Sequence, residues 1–245
     1  MTEKKNYDKE AWLKKKQEEK DRVYKMADDA TTEMINNKDA FKQYLKIQSR
    51  MDRYSAINCM LIMKQRPGAF KLREFDEWSQ DNVNINHGEK GICILEPVEY
   101  TSNDGTKKIS YNVKKVFDVT QTNSEEIAHL PPSRDPNKMI KTMRKVFEDT
   151  GSDSNKSFAE VAYEVAVKKI PHSRFTEFEC RCISYMLCMK YGIDYSDDLP
   201  KIPDGLKKLP GKDIRAELST MRNTYSYIHN AVYSEITRNR TEEFE

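Results

Sequence analysis

Between Asp213 and Arg238, apolar side chains recur at every third or fourth position: Ile214, Leu218, Met221, Tyr225, Ile228, Val232 and Ile236. That period permits one reading, a long helix with a single buried face. Glycine usage agrees. The chain has 8 glycines in 245 residues, against a usual share of about 7%. A turn-rich, all-β architecture is therefore disfavoured and helices are favoured.

The rest of the chain divides by pattern. Residues 7–35 read as a mostly polar helix with a thin apolar stripe that includes Trp12, Leu13, Val23, Ala27 and Met34. The first twenty residues of the chain are expected to be frayed or partner-dependent, and residues 1–37 to form a polar N-terminal helix. From Lys38 the 3.6-residue rhythm of Phe41, Tyr44, Leu45, Gln48, Met51, Ser55 and Cys59 predicts one helix running to about Lys64, stopped by Pro67-Gly68. Arg73 to Asp81 predicts one or two helical turns around Phe75 and Trp78, and Val83 with Ile85 a half-buried strand. Ile92–Leu95 reads as a buried strand. Ser102-Asn103-Asp104-Gly105 marks a hairpin, because Asp-Gly accepts positive φ, and a return strand follows from Lys107 to Val119. Residues 38–123 thus read as an α+β unit, a long helix packed on a small antiparallel sheet. A proline-bearing linker spans 124–136 (Pro131, Pro132, Pro136), and residues 137–245 are mostly helical. Capping boxes are expected at Ser157/Glu160 and Thr176/Glu179, and Gly192 as a helix stop.

Several classes drop out. No apolar run approaches the roughly 18 residues of a membrane helix, and MTEKKNYDKE has no apolar core of a secretory signal. Five cysteines, an odd number, without such a signal point to a reducing cytoplasm rather than a disulfide framework. Cys180 and Cys182 are two apart in a helical context, a poor chelate, and read as small semi-buried residues. His87, His129, His172 and His229 are scattered singly, no two at i,i+4.

Charge is uneven. The whole chain carries only +2, yet Lys42–Arg73 holds eight basic residues and one acid, Asp52, a net +7. Tyr44, Tyr54 and Phe70 lie among them. Cations that track phosphates, beside rings on which bases stack, make up single-strand binding surfaces. The plainer reading is a solvated helix face. Arg50 and Tyr54, four apart, are expected to share a face, and Trp78 reads as core.

At this point the residues resemble a family. The run Arg50-Met51-Asp52-Arg53-Tyr54-Ser55-Ala56-Ile57-Asn58 through Pro67 resembles the "YS..N..LI..Q.P" signature of the ArdC-like N-terminal domain. That is a single-stranded-DNA-binding domain of antirestriction and LtrC-like proteins of plasmids and conjugative elements. Phe75-Asp76-Glu77-Trp78 resembles the family's "F..W", His87–Pro97 its "kGEKGI.IL.P", and Val116–Thr122 its "vFDVsQT". The four motifs come in order and cover about a third of the chain. The resemblance implies strand contact at Arg50, Tyr54, Asn58, Gln65, Arg66, Lys71, Arg73 and Lys90. Ser55 and Trp78 read as scaffold, Asp118 and Gln121 as ties, and the Gly88–Gly91 turn as a phosphate contact or a simple β-turn.

In many such proteins a zincin-like metallopeptidase half follows, in which HExxH sets two histidines one helical turn apart on zinc, with the Glu as general base. Residues 157–191 resemble a degenerate version. Glu164 stands at the general-base position, Tyr163 and Val167 at the two zinc-ligand positions, and Glu179 at one retained acid with Arg181 at the other. Tyr and Val make no zinc site. The expectation is therefore a non-catalytic protein with no metal or other cofactor and no catalytic residues. It would bind single-stranded DNA, and the helical half is a possible surface for a host or element-encoded protein. The alternative is a protein-binding antagonist of a host defence nuclease; a metallopeptidase ranks below both.

Overall fold

A computed structural model of the chain describes residues 9–102, 104–124, 134–148 and 155–242. The polar N-terminal stretch forms one helix, α1 (Lys9–Asn36), whose first half is exposed and which buries a face only from Val23 onward. α2 (Lys38–Arg50) follows at once, because the Asn37 side chain accepts from the amides of Asp39 and Ala40 and caps the new helix. The single helix expected to Lys64 is in fact two. The chain leaves helical geometry at Met51 and restarts as α3 (Ala56–Gln65), where the Ser55 hydroxyl accepts from the Asn58 amide at 3.4 Å. The cause is tertiary: the intervening Asp52 is held by Lys190 and by the helix that carries Arg222 and Ser226. Arg50 and Tyr54 consequently do not share a helical face, which corrects the sequence expectation.

The sheet has three antiparallel strands in the order β1 (Leu72–Arg73), β3 (Lys107–Asp118), β2 (Ile92–Thr101). β2 and β3 pair from Ile92↔Val116 to Thr101↔Lys107. Gly105 closes the hairpin at φ +79°; Asn103 of that turn lies outside the described residues. Only Ile92 to Leu95 of β2 is buried, so the far half of the hairpin projects into solvent. Between β1 and β2, α4 (Phe75–Gln80) drops Trp78 into the core, its Nε1 donating to the Phe117 carbonyl at 3.0 Å. The strand expected around Val83 and Ile85 is reduced to one bridge, Ile85 to Thr122. Asp118 ties the sheet's end together: one carboxylate oxygen accepts from the amides of Phe70 and Lys71, the other from Thr120.

The second half is helical: α5 (Pro136–Val146), α6 (Phe158–Lys169), α7 (Thr176–Tyr191), the short α8 (Asp204–Lys207) and α9 (Gly211–Glu242). Pro136 sits in the first turn of α5, where its missing N–H costs nothing; Pro131, Pro132 and His129 of the linker lie outside the described residues. The Ser157/Glu160 capping box forms, and Gly192 ends α7 at φ +63°. The Thr176/Glu179 box does not. Thr176 instead bonds Ser173, while Glu179 is buried and accepts from the Ser173 hydroxyl at 2.8 Å. The two halves share one core: Phe41 of α2 packs on Phe178 of α7 with ring centroids 5.5 Å apart, and Tyr225 of α9 donates to the Ser49 carbonyl at 2.8 Å. All five cysteines are unpaired and buried. Among the described residues no helix is long and apolar enough to cross a membrane.

Candidate nucleic-acid interface

The eight expected contact residues separate into three environments. Asn58 and Gln65 are committed to backbone. They lie seven apart, two turns on one face of α3, against the free edge of β2. Asn58 exchanges two hydrogen bonds with Leu95, at 2.9 and 2.8 Å, and Gln65 two with Cys93, both at 2.9 Å. The two carboxamides thus cap edge groups that would otherwise offer a template for another strand. Their place in the motif has a structural explanation.

Arg50, Arg66 and Lys90 form the second group only loosely. The Arg50 guanidinium is half-buried, reaches the Pro67 carbonyl at 3.5 Å, and has its pKa lowered by burial, with Asp118 opposing. Arg66 grips the Thr120 hydroxyl from two nitrogens, at 3.1 and 2.9 Å, and approaches Glu89 at 3.5 Å. Lys90 is exposed. The glycines beside it serve the turn. Gly88 has φ +85°, and a Cβ on Gly91 would lie 3.0 Å from the Lys115 Cβ.

Tyr54, Lys71 and Arg73 converge, with Asn58, on a cleft of about 1050 Å³ between the α2–α3 loop, the sheet and α9. Arg53, Lys114 and Arg222 also line it. Trp78 stacks under two of these cations, with Lys71 Nζ 5.9 Å and the Arg73 guanidinium 5.1 Å from its ring. Acids answer most of this charge: Arg73 is paired with Asp81, and Lys114 lies 2.7 Å from Glu74 and 2.5 Å from Glu96, which raises its pKa. Counting Glu77, the five cations of the cleft face four carboxylates.

No family model matches the chain, and no curated protein matches it. Its structure resembles that of an antirestriction protein. The crystal structure of metal-free ArdC from the R388 plasmid aligns with a TM-score of 0.49 at 14% identity, over 76% of this chain and 86% of that one. The Mn(II)-bound structure of the same protein aligns at 0.49 and 12%, over 74% and 84%.

Of the positions that resemble a zincin site, Tyr163, Glu164 and Arg181 line a separate cleft of about 330 Å³ between α6 and α7, while Val167 and Glu179 do not. Glu164 pairs with Lys156 at 2.8 Å, Tyr163 lies under the Arg181 guanidinium at 5.4 Å, and Val167 is exposed. A phenol under a cation, a valine and a lysine-paired carboxylate are not a zinc donor set, so these residues do not fit the metal. Among the described residues no group of three or more His, Cys, Asp and Glu is placed to hold a metal ion. Glu179, by contrast, is pushed up to about 7 by burial, with Glu217 adding to the rise.

A second cleft, absent from the sequence expectations, adjoins the first and shares Arg53 and Arg222 with it. Arg134, Lys190, His229 and Tyr233 are among its other lining residues. His229 is the one histidine here with a structural signature: buried, its Nδ1 3.0 Å from the Tyr191 hydroxyl and its ring stacked on Tyr225. Burial and Lys190 push its pKa down to about 4, so it is neutral at pH 7. The residues of this cleft are spread from position 52 to 233, and beyond Asp52 and Arg53 no local pattern flags them.

Proposed function

We propose that the protein is a non-catalytic, single-stranded-DNA-binding protein of a conjugative or other mobile element, acting in the cytoplasm in an antirestriction role that protects or handles incoming strands. The observation that carries this reading is the convergence of Tyr54, from the first motif segment, with Lys71 and Arg73, from the stretch between the first and second, on one open cleft beside the sheet. A ring for stacking beside cations for phosphates suits single strands, whose bases are free to turn onto a side chain. Because acids offset much of the charge, stacking supplies more of the affinity than counterion release does. A cleft that neutralises about three phosphates gives a log–log salt slope near −2.

The test is a titration of the full chain with single- and double-stranded oligonucleotides at two salt concentrations. Preference for single strands with a shallow salt dependence is expected; equal affinity for duplex, or no binding to either, overturns the reading. A second reading, an antagonist docking on a host nuclease, draws on Trp12 and Leu13, 44% and 50% exposed on α1. It is favoured if the protein inhibits such a nuclease after strand binding has been abolished by substitution.

A further inference from the structure

Four cations from four distant stretches meet in the second cleft: Arg53 from the α2–α3 loop, Arg134 ahead of α5, Lys190 in the last turn of α7 and Arg222 on α9. Among the described residues Asp52 is the one acid lining it, and it is already engaged. Its Oδ1 takes Lys190 at 3.1 Å, its Oδ2 lies 3.6 Å from His229 Nε2, and its carbonyl accepts from Arg222 and from Ser226 at 3.4 Å. Arg53 and Arg134 therefore have no carboxylate partner among the described residues, and the Arg222 Nε is buried without a hydrogen-bond partner. Uncompensated positive charge in a concave site focuses the field on whatever anion enters, and guanidinium groups suit phosphoryl oxygens. The cleft, about 580 Å³, falls in the range of small-ligand sites. At its rim stand the Tyr233 ring, 54% exposed, and the Asn230 amide, a face for a base and a group to bond its edge.

We propose that this cleft seats a nucleoside monophosphate, its phosphoryl group on Arg53, Arg134 and Arg222 and its base against Tyr233, supplied as a free nucleotide or as the 5′-phosphorylated end of a strand. The inference goes beyond strand binding, because it requires a lone mononucleotide to bind.

Calorimetric titration of the full chain tests it, with a 5′-mononucleotide, the matching nucleoside, inorganic phosphate, and short single strands with a 5′-phosphate or a 5′-hydroxyl. The mononucleotide is expected to bind saturably, and the nucleoside at least tenfold more weakly. Arg53→Gln with Arg134→Gln, neither of which removes an internal carboxylate pair, should cost the mononucleotide at least tenfold. Tyr54→Ala, in the other cleft, should leave its affinity unchanged. A fivefold gain from the strand's 5′-phosphate assigns the source to strand ends; equal strand affinities assign it to the free nucleotide. Absence of saturable mononucleotide binding, or binding unchanged in the double variant, overturns the proposal. Mononucleotide binding without any strand binding supports this site and overturns the strand-binding reading instead.

Discussion

The two clefts on either side of Arg53 and Arg222 are built from the same residue types and differ in compensation. In the larger one four carboxylates line the walls with five cations, and two of the cations are paired: Arg73 has Asp81, and Lys114 has Glu74 and Glu96. In the smaller one a single carboxylate, Asp52, stands among four cations and is held by the fold. The first is a stacking surface with moderate charge, the second a charged seat with a ring at its edge. Local charge density along the chain does not forecast this. The +7 window supplies most of the first cleft's cations, while the acids that offset them follow it, from Glu74 to Glu96.

The contrast can be broken at the wall of the first cleft, where the largest effect is expected. Asn58→Leu leaves the Leu95 amide and carbonyl unpaired at a buried edge. Two such groups cost about 2–4 kcal/mol. Denaturant unfolding should show that loss, while the protein that remains folded binds strands within about twofold of the parent. A variant of full stability with lost binding would make Asn58 a contact and not a tie.

The second cleft has its own signature in pH. His229 is held neutral, its pKa lowered from 6.5 to about 4, so the unfolded chain takes up a proton that the folded chain refuses. Its contribution is complete above pH 6.5 and is lost as pH falls through 4. Glu179 runs the other way: raised from 4.5 to about 7, it contributes fully below pH 4.5 and loses that as pH rises through 7. The two oppose each other between about 4.5 and 6.5. Glu179→Gln should therefore expose a decline in stability on acidification, and adding His229→Gln should flatten it. A double variant as pH-sensitive as the single one would remove His229 from the account.

Stacking is the next effect in size. Tyr54→Ala should weaken single-strand binding by about 1–3 kcal/mol, the worth of one stacked base, with the salt slope unchanged because no charge is removed. Unchanged affinity would take Tyr54 out of the interface.

These contrasts also mark what the sequence could disclose. The α9 stripe, the Ser157 cap, the Gly192 stop and the hairpin are local patterns with local causes, and each stands where its residues place it. The breaks are tertiary. Ser55 is a local cap, but the loop before it is held through Asp52 by Lys190 and Arg222, 138 and 170 residues away. Thr176 stands inside α7 with its hydroxyl bonded to the Ser173 backbone, and Glu179 turns inward to accept from the Ser173 hydroxyl. For the site, Tyr54 was legible as a ring in a motif, and Lys71 and Arg73 as cations of the basic window. Asn58 and Gln65 looked the same on the page but serve the edge of β2. Arg134, Lys190 and Arg222 were illegible, since only folding brings them together.

The smallest effect discriminates most finely between the clefts. Arg73 and Arg53 are both arginines of the basic window, but Arg73 carries Asp81 with it and Arg53 has no carboxylate partner among the described residues. A phosphate met by a cation that stays with its acid is little neutralised and keeps most of its condensed counterion, whereas one met by an unpartnered cation sheds nearly a full share. Arg73→Gln should therefore change single-strand affinity by less than about twofold (~0.4 kcal/mol) and leave the salt slope as it was. Arg53→Gln should lower the slope by about 0.7, one phosphate's worth. Paired salt titrations of the two variants check this. If they shift the slope equally, Asp81 does not mask Arg73 in solution, and the difference between the clefts reduces to their shape.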